Sequence, residues 1–421
     1  MAVQELWVEG YRSIRALRVS LAPVTVVVGP NGCGKTNLYR VLRLLSAAAE
    51  GTVARSLADE GGLQSVLWAG PRKKNATARF TVGVAVDELA YELSCGPMPP
   101  PQGPFELDPD VKEETVWAVD GSKRHVVAQR GAGTAFLRDS EGGRTTFPFE
   151  LWNGESFLSQ LSEPHRFPLL SALRSVLVRW RFYHHFRTDI DAPIRRPQVG
   201  VRTPALAHDG KDLAAALMTV QEIGDRALLE ESVERAFPGA KLELYQERGS
   251  FSFRLAMPGL FRPLEAAELS DGRLRYLCLV AALLSPRTPP FLVLNEPETS
   301  LHSDLLPALA ELVAGPAGVA RCWSPRMRRR WPARWRNAPR PRPCVWRSGM
   351  ARRSWWTTDH LGSSEPVVDR SRTITVGGPD ADRRLPCRAP SIRLPGAERP
   401  TRPRRSDAVS PLRARRGDLP P

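Results

Sequence analysis

The stretch from Gly29 to Thr36 reads GPNGCGKT and satisfies the pattern G-x-x-x-x-G-K-[ST] at every fixed position. Such a loop works only between a strand and a helix, so it constrains the fold more than any other feature of the chain. The flanks agree. Val24 to Val28 is a β-branched apolar run too short for a helix, and the following NLYRVLRLLSAAAE carries Leu38, Val41, Leu42 and Leu45 at helical spacing. Glycines at 29, 32 and 34 let the backbone curl until successive N–H groups point inward, where they and the positive end of the next helix attract phosphate. Lys35 is then positioned to reach β- and γ-phosphates, and the Thr36 hydroxyl to ligate Mg²⁺. The expected ATP contacts are Gly29, Pro30, Asn31, Gly32, Cys33, Gly34, Lys35, Thr36 and Asn37.

Composition narrows the setting. The chain has 421 residues, enough for one large or two ordinary domains. No run of about 18 apolar residues occurs, and the N-terminus lacks a basic-then-apolar signal, so a cytoplasmic protein without a membrane partner is expected. The six cysteines include no C-x-x-C pair, which argues against a zinc site or a disulfide framework. The net charge of +15 is misleading. Residues 321–421 hold 25 arginines, no lysine and 8 acidic side chains, a balance of +17, which leaves −2 for the first 320 residues. Any case for nucleic-acid binding from charge is therefore a case about the last hundred residues.

Residues 4–21 alternate well enough for two short strands around Gly10 that lead into the strand before the loop. Residues 76–95 read as an antiparallel pair, the proline-rich 97–104 as a rigid break, and 115–119, 124–129 and 134–138 as further strands. Residues 151–180 and 211–237 read as helical stretches, with a strand at 181–186 between them. His184 and His185, adjacent on that strand, face opposite ways and are expected to be structural. Arg72, Lys73 and Lys74 read as a solvated turn, and Arg195 and Arg196, in a proline-flanked loop, as either an anion contact or, by default, solvated loop charge. No sustained heptad pattern separates the two halves, so no coiled-coil arm is expected.

Two distal motifs complete the pattern. Glu268 to Leu284 reads ELSDGRLRYLCLVAALL, and Pro290 to His302 reads PFLVLNEPETSLH, a short apolar strand with polar residues beginning at its end. Together with the phosphate loop and Tyr11-Arg12-Ser13, these resemble the RecF/SMC-like branch of the ABC ATPases over residues 3–320. The resemblance implies an α/β P-loop NTPase head with an N-terminal β-hairpin and an inserted antiparallel and helical lobe at 76–260. It makes Arg12 a candidate nucleotide contact, Gln64 a comparison to the glutamine that senses Mg²⁺, and Ser270, Asp271 and Gly272 a signature loop acting in trans on a second copy. It makes Glu296 the general base, and Glu298, Ser300 and His302 contacts to the dimer partner. Asn295 departs from the pattern, which has Asp there. An amide oxygen can still support the metal shell with Thr36 but supplies no charge.

The pattern stops near residue 321. The family has one more strand ending in T-H or S-H, where this chain has Arg321-Cys322-Trp323-Ser324-Pro325 and then an Arg-, Pro- and Trp-rich run. Residues 321–421 read either as a basic tail that binds nucleic acid or as an out-of-register translation of a GC-rich gene, which would leave the sheet without its last core strand. The expected activity is ATP hydrolysis coupled to homodimerisation, with Mg²⁺, in DNA repair or in defence against foreign DNA. The rival is a nucleotide-gated interaction module that signals to a partner effector protein.

Overall fold

The computed structural model describes residues 2–29, 32–71, 77–98, 108–121, 123–131, 134–139, 141–146, 151–161 and 163–315, with the backbone of 320–323 and 342–345. The chain divides into two compact units, Met1–Pro379 and Asp380–Pro421, and every described residue belongs to the first.

β1 (Val3–Tyr11) and β2 (Ile14–Ser20) form a hairpin and are followed by β3 (Thr25–Val28) and α1 (Lys35–Glu50). Two short helices, α2 (Val53–Ala58) and α3 (Leu63–Val66), lead into the antiparallel strands β4 (Phe80–Val86), β5 (Leu89–Pro97), β6 (Pro109–Asp120), β7 (Lys123–Gly131), β8 (Thr134–Arg138) and β9 (Arg144–Thr146). The hairpin does not stand apart from the inserted strands. β1 pairs with β4, placing Leu6 opposite Val84 and Val8 opposite Val82, so the order is β2-β1-β4-β5-β6-β7-β8-β9. These residues share one face by the two-residue period of a strand and bury it against α1.

The helical stretch expected over 151–180 is broken into α4 (Phe157–Gln160) and α5 (Pro168–Val178). Pro164 disfavours helical geometry at Glu163, and Pro168 starts the second helix in the first-turn position where its missing N–H costs nothing. After β10 (Arg181–Tyr183) and β11 (Gln198–Val199), the second expected stretch also splits, into α6 (Leu213–Ile223) and α7 (Arg226–Ala236). Asp225 caps α7 by accepting the Leu228 N–H at 2.9 Å. β12 (Lys241–Glu247), β13 (Ser250–Ala256) and β14 (Leu264–Glu265) form a small sheet with β11. Then follow α8 (Asp271–Leu283), β15 (Leu292–Asn295), α9 (Leu305–Ala314), β16 (Ala320–Trp323) and β17 (Arg342–Val345).

The second large sheet is parallel, in the order β10-β15-β16-β3-β17. Both its faces are covered, as its continuous apolar strands require. Val27, Phe182 and Val293 enter the core shared with α1 and the eight-stranded sheet, whereas Val26, Val28, Tyr183, Leu292 and Leu294 enter a second core with α6, α8 and α9. Segments beyond residue 319 contribute strands to this sheet. β16 lies between β3 and β15, and β17 lies outside β3. Parallel pairing needs only backbone donors and acceptors, so segments without an apolar run can still supply strands. The boundary expected after residue 320 thus falls inside β16, and the span 76–260 includes β10, a strand of the parallel sheet. Pro30, Asn31, Arg72, Lys73 and Lys74 lie outside the described residues, as do 324–341 and 346–421, on which the nucleic-acid-tail and out-of-register readings rest.

Candidate functional site

All strands of the parallel sheet end on one edge, which brings together segments far apart in sequence. The phosphate loop follows β3, Glu296 follows β15 and His184 follows β10. In open α/β sheets this carboxyl edge is where ligands bind.

The loop enters α1 through Gly32 at φ 78° and Gly34 at φ 100°, both in the left-handed region. Gly34 has a second reason to be glycine, because a Cβ there would stand 3.1 Å from the Ser13 hydroxyl. That hydroxyl also accepts a hydrogen bond from Asn37 Nδ2 at 2.8 Å, so the turn between β1 and β2 braces the start of α1. Lys35 Nζ donates to the Gly29 carbonyl at 2.8 Å and lies 3.8 Å from Cys33 Sγ, folded across the loop it belongs to. Thr36 is exposed in the first turn of α1.

Arg12 sits beside this loop at φ 47°, and its guanidinium is engaged. Nε donates to Glu60 Oε2 and Nη2 to the Glu60 carbonyl, each at 2.9 Å, while Tyr11 Oη donates to the same carboxylate at 2.8 Å. Burial and this carboxylate together push the Tyr11 phenol well above its ordinary range. The Arg12 backbone closes the arrangement, donating to Val66 and accepting from Ala69. Gln64 lies exposed on the adjacent α3.

At the end of β15, Asn295 is buried and Glu296 is exposed, with Glu296 at φ 50°. For a non-glycine residue this backbone costs on the order of 1 kcal/mol and turns the chain sharply out of the sheet. The Thr299 N–H donates to the Glu296 carbonyl at 2.9 Å, closing the turn, and Ser300 takes a second positive φ of 65°. Glu298 is buried, and His302 lies 3.3 Å from Asp304 on the surface.

The signature segment packs against that turn. Ser270 is the exposed N-cap of α8, and a Cβ on Gly272 would stand 3.1 Å from the Ser300 carbonyl. Asp271 accepts from Arg195 Nη2 at 2.7 Å. Arg195 is not the solvated charge its loop position suggests. Nη1 donates to the carbonyls of Ala267 (2.9 Å) and Leu269 (2.7 Å), and Nε and Nη2 both donate to the Thr188 carbonyl. Its planar fork saturates acceptors on two segments at once, which a lysine could not do. No spacing in the sequence points to this clamp, because the acceptors that tie it to the signature segment lie over 70 residues away. The same holds for His184, whose ring nitrogen Nδ1 lies 2.6 Å from Asn295 Nδ2.

No curated protein matches the chain. Among solved structures, the chain is similar to an SMC head bound to the C-terminal winged-helix domain of ScpA (14% identity, 77% of this chain and 89% of that chain, TM-score 0.39). It is also similar to the SMC head domain from Thermotoga maritima (15% identity, 78% and 90%, TM-score 0.34). A family model described as "AAA domain, putative AbiEii toxin, Type IV TA system" matches residues 24–321, from the strand before the phosphate loop to the start of β16. The chain belongs to that family of AAA P-loop ATPases.

Proposed function

We propose that the chain binds ATP with Mg²⁺ at the carboxyl edge of the parallel sheet and hydrolyses it in a homodimer, as part of a response to foreign or damaged DNA. The observation that carries this reading is the strand order. β15 is separated from β3 by β16 alone, so the acid after β15 and the glycine loop after β3 open on the same edge. The glycine cradle fits a polyphosphate, with Lys35 already lying across it. Among the described residues no group of three or more His, Cys, Asp or Glu could hold a metal by itself. A magnesium ion bound here would be held by Thr36 and Asn295 together with phosphate oxygens. Bound Mg²⁺ would neutralise charge developing on the β- and γ-phosphates.

Glu296, exposed and carried outward by its turn, takes a proton from the attacking water as the oxygen joins the γ-phosphorus and the bond to the bridging oxygen breaks, releasing ADP and phosphate. Ser270 and Gly272 present a hydroxyl and a backbone N–H at the start of α8, suited to the γ-phosphate of a second copy. Arg12, tied to Glu60 at the turn of the hairpin, is the candidate nucleotide contact from that element. The family description and the resemblance to RecF/SMC-like proteins support the defence or repair setting.

Asn295 favours a second reading, a nucleotide-gated switch that binds ATP, turns over little and passes its state to an effector protein. Phosphate release by the intact chain and by Glu296→Gln separates the two. An ATPase loses at least about 100-fold on the substitution, and a switch releases no phosphate in either form. If Lys35→Ala retains ATP as well as the unaltered chain does, both readings are wrong.

A further inference from the structure

We propose that His184 is a positioning residue of the nucleotide site, holding the Asn295 amide so that its oxygen, rather than its NH₂, is available to the metal shell. The proposal rests on the nucleotide-site reading above. His184 follows β10, whose Tyr183 is paired with Leu294 of β15, so the next residue on each strand stands side by side at the carboxyl edge. Asn295 Nδ2 and His184 Nδ1 are 2.6 Å apart. An amide NH₂ can only donate, so Nδ1 accepts and the ring proton resides on Nε2. With the NH₂ committed to the β10 side, Oδ1 is the arm left for a water on the metal.

A second contact ties the same ring to the helix that follows the phosphate loop. The His184 ring lies 5.7 Å from the ring of Tyr39, which is buried in α1 one helical turn after Thr36. His184 therefore touches both the element that carries the Thr36 hydroxyl and the side chain that replaces the usual aspartate. A carboxylate has acceptors on both arms and needs no such orientation. An amide with the wrong arm forward would direct N–H groups at a cation, and a fixed partner removes that arrangement.

The test uses the intact chain and a fluorescent ATP analogue, titrated with Mg²⁺ and, separately, in EDTA. His184→Phe should raise the Mg²⁺ concentration for half-maximal binding roughly tenfold, the lower end of what losing such a supporting partner costs, and leave binding in EDTA unchanged. His184→Asn, whose Oδ1 replaces Nδ1 as acceptor, should stay within about twofold of the unaltered chain. In an Asn295→Asp background, His184→Phe should shift the Mg²⁺ requirement less than about twofold. Unchanged Mg²⁺ dependence in His184→Phe overturns the proposal. So does a His184→Asn variant that behaves like His184→Phe, or a full tenfold loss in the Asn295→Asp background. If the unaltered chain binds the analogue equally with and without Mg²⁺, the metal reading falls and the proposal falls with it. If it binds neither way, the nucleotide site itself is misassigned.

Discussion

Glu114 and Glu296 are both glutamates carried by strands, one inside β6 and one just past β15, and the molecule treats them in opposite ways. The Glu114 side chain is fully buried and accepts from Tyr91 Oη at 2.7 Å, from the Phe157 N–H at 2.9 Å and from the Ser156 hydroxyl. Arg130, equally buried, lies 3.9 Å away and donates through Nη1 to the Glu155 carbonyl and through Nη2 to the Trp152 carbonyl and the Asn153 side chain, while its Nε–H has no hydrogen-bond partner among the described residues. Burial pushes the Glu114 carboxyl up and the Arg130 guanidinium down, and their mutual attraction opposes both shifts. The cluster pins the segment before α4 to the eight-stranded sheet. Glu296 has the reverse character: exposed side chain, strained backbone, immediate neighbours that touch other elements. Among the described residues five non-glycines have positive φ. Asp87 and Arg248 turn tight hairpins, and Arg12, Glu296 and Ser300 lie in the site's own motifs. Charge that is enclosed among many partners holds a fold together, whereas charge held open on a strained turn is available for chemistry.

The contrast can be broken most forcefully at the enclosed cluster. Arg130→Met should cost about 3–5 kcal/mol in urea unfolding, because it leaves a buried carboxylate without its cation. A loss below about 1 kcal/mol would mean the cluster is not sealed. Arg195→Ala should cost less, about 2 kcal/mol, since several of the carbonyls it releases can reach water. Its sharper consequence is functional: ATP retention should persist while phosphate release drops, and a parallel loss of both would show that the clamp serves the whole fold rather than the signature loop. Asn295→Asp should lower the Mg²⁺ requirement for ATP binding about tenfold, by restoring a charge near the cation. A flat response in both Mg²⁺ affinity and turnover would remove Asn295 from the metal shell. The smallest effect has the opposite sign. Glu296→Gly should stabilise the chain by about 1 kcal/mol by relieving the left-handed backbone, while abolishing phosphate release. Stabilisation without loss of turnover would separate the strain from the chemistry.

Much of the site was legible in residue order because its chemistry is local. A strand, a glycine loop and a helix N-terminus must be contiguous, so GPNGCGKT and its flanks identify the phosphate cradle, and FLVLNE identifies the acid at a strand end. Helix ends were less legible. Apolar spacing runs through 151–180 and 211–237, and the breaks come from proline geometry and from an aspartate cap, which periodicity does not register.

Residue order alone was enough for the phosphate loop, the distal motifs and the α/β class, since each depends on neighbours a few positions apart. The folded chain was needed to show that one eight-stranded sheet unites the hairpin with the inserted strands, that Arg195 fastens the signature loop, and that His184 stands against Asn295. The first and third depend on strand order and register and the second on contact between two loops, and all are set by tertiary packing. A pairing between residues 111 positions apart leaves no periodic trace in a single sequence, because only the tertiary packing makes them neighbours.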